Sequence, residues 1–221
     1  MNQLTDSKTP LEQMIQQQIV ERGITDERVI AAMRAIPRER FFPRDERSAA
    51  FRDQAAPIGH GQTISQPYIV ALMTARLDVH PAHKVLEVGT GSGYLTALLA
   101  SRSAEVTSVE INPTLAQFAV ANLTKAGITN ATVETGDAAR GWTARAPYDV
   151  IVFTGSMEVL PDEVLAQLKP GGKVFVILGK PPLMRAQLIT VTAHGGRSER
   201  TLFETVVAPL TNAALAPGFV F

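Results

Sequence analysis

The chain has 221 residues, 45% of them hydrophobic and 19% charged, enough apolar material for a sizeable core and too much for a disordered chain. Lysine plus arginine (21) balances aspartate plus glutamate (21), which argues against nucleic acid or an anionic membrane as an obligatory partner. No cysteine is present, so disulfides, thiolate metal sites and cysteine nucleophiles are excluded. The start, MNQLTDSKTPLEQM, lacks a cationic stretch followed by an apolar one, and no run reaches the roughly 18 to 20 apolar residues of a membrane span. The expectation is a soluble cytoplasmic protein, monomeric or a weak homo-oligomer.

Residues 1–9 are polar and expected to fray. From Pro10, Leu11, Met14, Ile15, Ile19 and Val20 recur at helical spacing until Gly23 stops the run. Asp26 can cap a second helix carrying Val29, Ile30, Met33 and Ile36, closed by Pro37. Residues 37–65, with Phe41, Phe42, Pro43, Phe51, Pro57, Gly59 and Gly61, read as a long irregular segment of the kind that forms lids and binding loops. Gln66 to Leu77 is predicted helical, with Ser65 as its N-cap ahead of Gln66-Pro67.

The stretch from Lys84 to Glu110 organises the rest of the chain. Lys84 to Val88 is an apolar run carrying one acid, Glu87; it enters Gly89-Thr90-Gly91-Ser92-Gly93 and a helix-prone segment, Tyr94 to Ala100. A second run, Glu105 to Val109, stops on Glu110. A strand, a glycine turn, a helix and a second strand tipped by an acid place a nucleotide-like ligand over a helix N-terminus, with its ribose facing a carboxylate. Pro113 can open a helix reaching Gly127, Ala131 to Glu134 forms a third strand before Gly136-Asp137, and YDVIVF (Tyr148 to Phe153) has the unbroken apolar character of a central parallel strand. A helix over Leu160 to Leu168, the turn Lys169-Pro170-Gly171-Gly172, a strand from Lys173 to Leu178, and a hairpin of Ala186 to Thr192 with Thr201 to Val207 complete the pattern. The expected fold is α/β: a doubly wound, mostly parallel Rossmann-like sheet with an antiparallel C-terminal hairpin and an N-terminal helical extension. The four histidines (His60, His80, His83, His194) show no metal-ligand spacing, and Trp142 is read chiefly as structural, with the adenine end as its alternative neighbour.

A nicotinamide dinucleotide is the first rival for the glycine turn, but its pattern is Gly-x-Gly-x-x-Gly, whereas Gly89, Gly91 and Gly93 are spaced by two and Tyr94 follows. Glu87, inside the first strand, would oppose a pyrophosphate and suits a ligand with a cationic amino-acid end. S-adenosylmethionine has that ammonium, a sulfonium and no phosphate.

VLEVGTGSGY, the Glu110 acid, Gly136-Asp137 and LKPGG resemble the class I methyltransferases that use S-adenosylmethionine. IPRERFFP and PIGHGQTISQPYIVALMT narrow the resemblance to the protein-L-isoaspartate O-methyltransferase family, over about residues 12 to 180. The resemblance implies that Gly89, Thr90, Gly91 and Gly93 lie under the methionine end of the cofactor, with Glu87 orienting it. Glu110 would accept the ribose hydroxyls, Asp137 the adenine amino group, and the backbone at Ala138 would serve a ring nitrogen. It places Gln62, Thr63 and Ile64 between methyl donor and peptide substrate, with Ser65 as the active-site serine; His60 is a further candidate to touch substrate. The implied reaction methylates the carboxylate of L-isoaspartyl residues in damaged proteins and leaves S-adenosylhomocysteine, with no metal. The competing readings are a paralogue acting on another carboxylate or a small molecule, and a cofactor-binding protein without turnover. Residues 1–80 are expected to form the helical extension and substrate-side loop, and 81–221 one compact cofactor-binding unit. The chain departs from the family's pattern at Ala138, Thr154-Gly155-Ser156, Ile177-Leu178-Gly179 and the tail Val206 to Leu210.

Overall fold

The computed structural model describes residues 9–216 except 193 and 195. The frayed start expected for residues 1–9 therefore lies outside it in all but residue 9. Helix α1 (Pro10–Met14) runs on into a π-helical stretch, Ile15–Val20, and the predicted stripe faces inward, with Met14, Ile15 and Ile19 buried. Helix α2 (Glu27–Ala35) is capped by Asp26, whose carboxylate accepts from the Arg28 N–H at 2.9 Å. Helix α3 (Pro67–Leu77) matches its expected span, but Gln66 is its N-cap residue and no side chain makes the capping hydrogen bond. Ser65 is thus not the cap the sequence suggested; it stands one residue before the cap.

The segment read as irregular, 37–65, is more ordered than its composition suggests. It holds two 3-10 turns, Arg38–Phe41 and Arg44–Phe51, and a small hairpin of β1 (Ala56–Gly59) and β2 (Gln62–Ile64). Strands of three or four residues are too short to display alternation, so periodicity could not reveal them. Their turn consists of Gly59, His60 and Gly61, all with positive φ.

The main sheet has seven strands in the order β5-β4-β3-β6-β7-β8-β9. They are β3 (Lys84–Val88), β4 (Glu105–Glu110), β5 (Ala131–Thr135), β6 (Tyr148–Met157), β7 (Leu168–Lys180), β8 (Leu183–Val191) and β9 (Arg197–Glu204). The first five in that order run parallel and the last two are antiparallel, as expected. Helices α4 (Tyr94–Ala100), α5 (Pro113–Lys125) and α6 (Asp162–Leu165) complete the doubly wound layers. The helix expected over Leu160 to Leu168 shrinks to the single turn α6, because Leu168 already pairs with Tyr148 in the sheet. Strand β6 runs past its apolar core to Met157, and at Ser156 the C-terminal tail becomes its neighbour: the Ser156 N–H donates to Ala208 O at 3.0 Å and the Leu210 N–H to Ser156 O at 2.9 Å. No local pattern could foretell that partner.

Alternation along the strands sorts the core into two faces. Val85, Val150, Val152, Phe175 and Ile177 pack with α3, α4 and the N-terminal helices, while Leu86, Val88, Ile151, Phe153, Val174 and Val176 pack with α6 on the other side. Both faces are covered, which is why these strands read as near-continuous apolar runs. Glu87 shares parity with Val85 and so points into the helical layer, fully buried. Strand β3 has β4 on one side and β6 on the other, so the chain reverses direction across the sheet there. Ligands of open α/β sheets settle in the crevice at such a switch point.

Candidate active site

A cavity of about 440 Å³ opens at the C-terminal ends of β3, β4 and β6. Its floor is the glycine turn, its walls carry Glu87, Glu110, Asp137 and Ala138, and its opposite side is formed by Gln62 to Ser65 and the tail from Thr205 to Thr211. A pocket of this volume holds a nucleoside-sized ligand.

The turn is built for close approach. Gly89, Gly91 and Gly93 all have positive φ, a region that L side chains rarely adopt. A Cβ on Gly89 would overlap the Thr154 hydroxyl. That hydroxyl holds the turn from behind, lying 3.0 Å from Val88 O and 2.8 Å from Gly89 O. Thr154, a departure from the family's pattern, is therefore a brace of the glycine turn. Gly155 beside it lies against Leu210 of the tail.

Three carboxylates stand behind three consecutive strands. Glu87 Oε2 accepts from the Thr96 hydroxyl and, at 2.7 Å, from Ser108 Oγ, which lies 2.5 Å from Thr90 Oγ1. Its other oxygen, Oε1, is buried without a partner among the described residues. Burial pushes the Glu87 carboxyl up to about 7, against the pull of the two hydroxyls and with some help from the nearby Glu110 charge. Glu110 accepts from the Gly91 N–H at 2.8 Å and the Asn112 N–H at 3.0 Å, so one side chain ties the glycine turn to the start of α5. Asp137 accepts from the Ala139 N–H at 2.9 Å and from Asn212 Nδ2 at 2.7 Å. Each oxygen of Glu110 and Asp137 keeps accepting capacity for a further donor.

The residues singled out from sequence largely converge here. Glu87, Gly89, Thr90, Gly91, Glu110, Asp137 and Ala138 line the cavity, as do Gln62, Thr63, Ile64 and Ser65. Gly93 stands one step behind, where an added Cβ would meet Ala119 and Leu123 of α5. His60 sits at the hairpin tip, exposed and outside the cavity wall. Trp142 packs against Gly136 and does not reach the cavity, which leaves it the structural role. Sequence reasoning passed over Thr96, Ser108, Thr154 and Asn212. For Thr96 a signal existed: it is the one non-aromatic polar residue in the buried helix YLTALLA. For Asn212 there was none, because it meets Asp137 from 75 residues away.

The donor set fits S-adenosylmethionine. A buried carboxylate oxygen without a partner calls for a cation, Glu110 offers acceptors to a diol, and Asp137 with the Ala138 backbone offers an acceptor and a donor to a heteroaromatic edge. Among the described residues no cluster of three or more His, Cys, Asp or Glu could hold a metal ion.

Comparison with known proteins agrees. The family model for protein-L-isoaspartate(D-aspartate) O-methyltransferase matches residues 9–214. A protein-L-isoaspartate O-methyltransferase from Methanoculleus marisnigri is 46% identical over 188 residues, covering 85% of this chain and 84% of that one. A solved protein-L-isoaspartate O-methyltransferase superposes with a TM-score of 0.79 at 26% identity, covering 91% of this chain and 66% of the longer one. The same fold recurs, at 24% identity and a TM-score of 0.77, in a Plasmodium falciparum structure described as such an enzyme in complex with S-adenosyl-L-homocysteine, with 91% and 96% of the two chains covered.

Proposed function

This chain belongs to the protein-L-isoaspartate O-methyltransferase family, and from that premise we propose how its own residues carry the family's reaction. The enzyme methylates the carboxylate of L-isoaspartyl residues in damaged proteins, with S-adenosylmethionine as its cofactor and no metal. Bound in the cavity, S-adenosylmethionine supplies a methyl group made electrophilic by its sulfonium. Glu87 and the Gly89–Gly93 turn hold the methionine end, Glu110 the ribose hydroxyls, and Asp137 with Ala138 the adenine. The observation that carries this assignment is the unpartnered, buried Glu87 Oε1 beside the glycine turn. Isoaspartyl-containing proteins enter from the side of Gln62 to Ser65, in the cytoplasm. Of the described residues, those up to 80 supply that substrate side together with the tail from Thr205 to Thr211, and the rest from 81 onward the cofactor side.

The acceptor needs little activation. A carboxylate with a solution pKa near 4 is already ionised at neutral pH, so no general base is required. What remains is to strip its water and hold one oxygen in line with the methyl group at about 3 to 3.5 Å. The Ser65 hydroxyl, on the cavity wall and spared from capping α3, orients that carboxylate; it is not a nucleophile.

Two measurements test these roles. With labelled cofactor and matched isoaspartyl and aspartyl peptides, base-labile label is expected on the isoaspartyl peptide alone. Ser65→Ala is expected to lower kcat about tenfold, as for loss of one charge-assisted hydrogen bond, with S-adenosylhomocysteine affinity unchanged. Label on both peptides, or an affinity that collapses with Ser65→Ala, contradicts the assignment.

Glu87 gives a pH signature. Its carboxyl titrates near 7 in the free protein, and an ammonium favours the ionised form. Cofactor binding therefore releases a proton at low pH, and affinity is expected to rise as pH goes from about 6 to about 7.5. Calorimetric titration of Glu87→Gln should give a flat profile over that window; a slope equal to the wild type's would assign the titration to another group.

A further inference from the structure

Arg38 is the largest fully buried side chain that the cofactor and substrate roles above leave unused. A buried cation is costly unless its donors are matched and its charge offset, yet Arg38 forms no ion pair among the described residues and its Nη1 has no partner. Burial alone holds its guanidinium down at about 10. Two of its donors do find acceptors, and their positions are informative. Nε donates to Ala50 O at 3.0 Å and Nη2 to Ser65 O at 2.5 Å. Ala50 and Ser65 flank the β1–β2 hairpin, one before it and one after, so the planar fork of one guanidinium closes the base of the element that carries Ile58, Gln62, Thr63 and Ile64 to the cavity. The same guanidinium lies 5.2 Å from the ring of Tyr94 and 5.4 Å from that of Phe42. Tyr94 is the first residue of α4, directly after the glycine turn, and it lines the cavity.

From this geometry we infer that Arg38 is a positioning residue for methyl transfer: it sets Ser65 and the hairpin at a defined distance from the glycine turn, bridging the substrate side and the cofactor side of the cavity. It touches neither ligand and acts through the Ser65 carbonyl, the Ala50 carbonyl and the Tyr94 ring. Lysine cannot reproduce it, since a single ammonium on a flexible stem does not present two donors in a fixed fork. The inference rests on the reading that Ser65 orients the substrate carboxylate.

The test compares Arg38→Lys and Arg38→Met with Ser65→Ala and the corresponding double variants, each checked for cooperative thermal unfolding. Arg38→Lys is expected to lower kcat about tenfold, as for a small misplacement of a positioned group, while S-adenosylhomocysteine affinity stays within about twofold. Arg38→Met is expected to lose more, and if it does not fold, Arg38→Lys carries the comparison. In the double variant with Ser65→Ala, the combined loss in kcat is expected to be smaller than the product of the single losses, because a displaced Ser65 without its hydroxyl has less to lose. A role confined to stability would not produce that coupling. The inference is overturned by a folded Arg38→Lys enzyme with wild-type kcat, by a parallel fall in cofactor affinity, or by losses that simply multiply. A harmless Ser65→Ala overturns the reading of Ser65 itself, whatever Arg38 does; a harmful Ser65→Ala with multiplying losses overturns only the role of Arg38.

Discussion

Gly89→Ala is expected to weaken S-adenosylhomocysteine binding by at least about 100-fold while the protein still unfolds cooperatively. Two costs combine at this position. The left-handed backbone (φ +91°) costs a non-glycine residue about 1 to 2 kcal/mol, and the new methyl overlaps the Thr154 hydroxyl, adding about 1 to 3 kcal/mol of overpacking. The backbone cannot escape freely: the Gly89 N–H is bound to Val109 O at 2.9 Å and its carbonyl to Thr154. The turn must therefore shift as a unit, moving the groups on which the cofactor's amino-acid end would rest; about 3 kcal/mol lost from binding is about 100-fold in affinity. Gly171→Ala provides the control, since Gly171 also has positive φ but nothing within 4 Å of the added carbon. It should lower the melting temperature by a few degrees at most and leave affinity alone. Native affinity in Gly89→Ala would mean that the cofactor does not rest on this turn.

Glu110→Ala is expected to reduce cofactor affinity by a similar factor, for a different reason. The carboxylate would accept from the ribose hydroxyls, and charge-assisted hydrogen bonds contribute about 1.5 to 3 kcal/mol each. Truncation also releases the Gly91 and Asn112 N–H groups that Glu110 now ties together, so the turn and the start of α5 lose a common anchor. Leaving such donors unsatisfied costs about 1 to 3 kcal/mol of stability, visible as a lower melting temperature. Glu110→Gln separates the two parts: its amide oxygen keeps one acceptor, while its NH₂ faces a backbone donor, and its affinity should fall between the two. In both variants kcat at saturating cofactor should change much less than affinity, the reverse of Ser65→Ala. An affinity indistinguishable from wild type in Glu110→Ala would remove this residue from the ribose site.

The contrast between these two positions and Arg38 marks what the amino-acid order carries by itself. Strand β3, the glycine turn, α4 and β4 are legible because each is a local event: an apolar run, three glycines where φ must be positive, an apolar helix, and an acid at a strand end. Glu87 is conspicuous for the same reason, a lone carboxylate in an apolar strand, and its charge together with the glycine spacing narrows the ligand. The parallel character of the sheet follows from alternation of strands and helices, and its closing hairpin from two successive strand-like runs with no helix between them.

Only the tertiary structure decided how these pieces meet. Whether a buried carboxylate is paired depends on hydroxyls from α4 and β4, 9 and 21 residues away; an apolar helix marks Thr96 as buried, but nothing local marks Thr96 or Ser108 as a partner of Glu87. The brace of Thr154 on Gly89, the hold of Asn212 on Asp137, the tail beside Ser156 and the fork of Arg38 across the hairpin base are contacts between segments with no shared periodicity. Sequence determined the class of ligand, because that depends on charge and backbone conformation within one β-α-β unit. The fold decided the shape of the acceptor side, because that depends on backbone carbonyls and amides brought together from segments far apart in the chain.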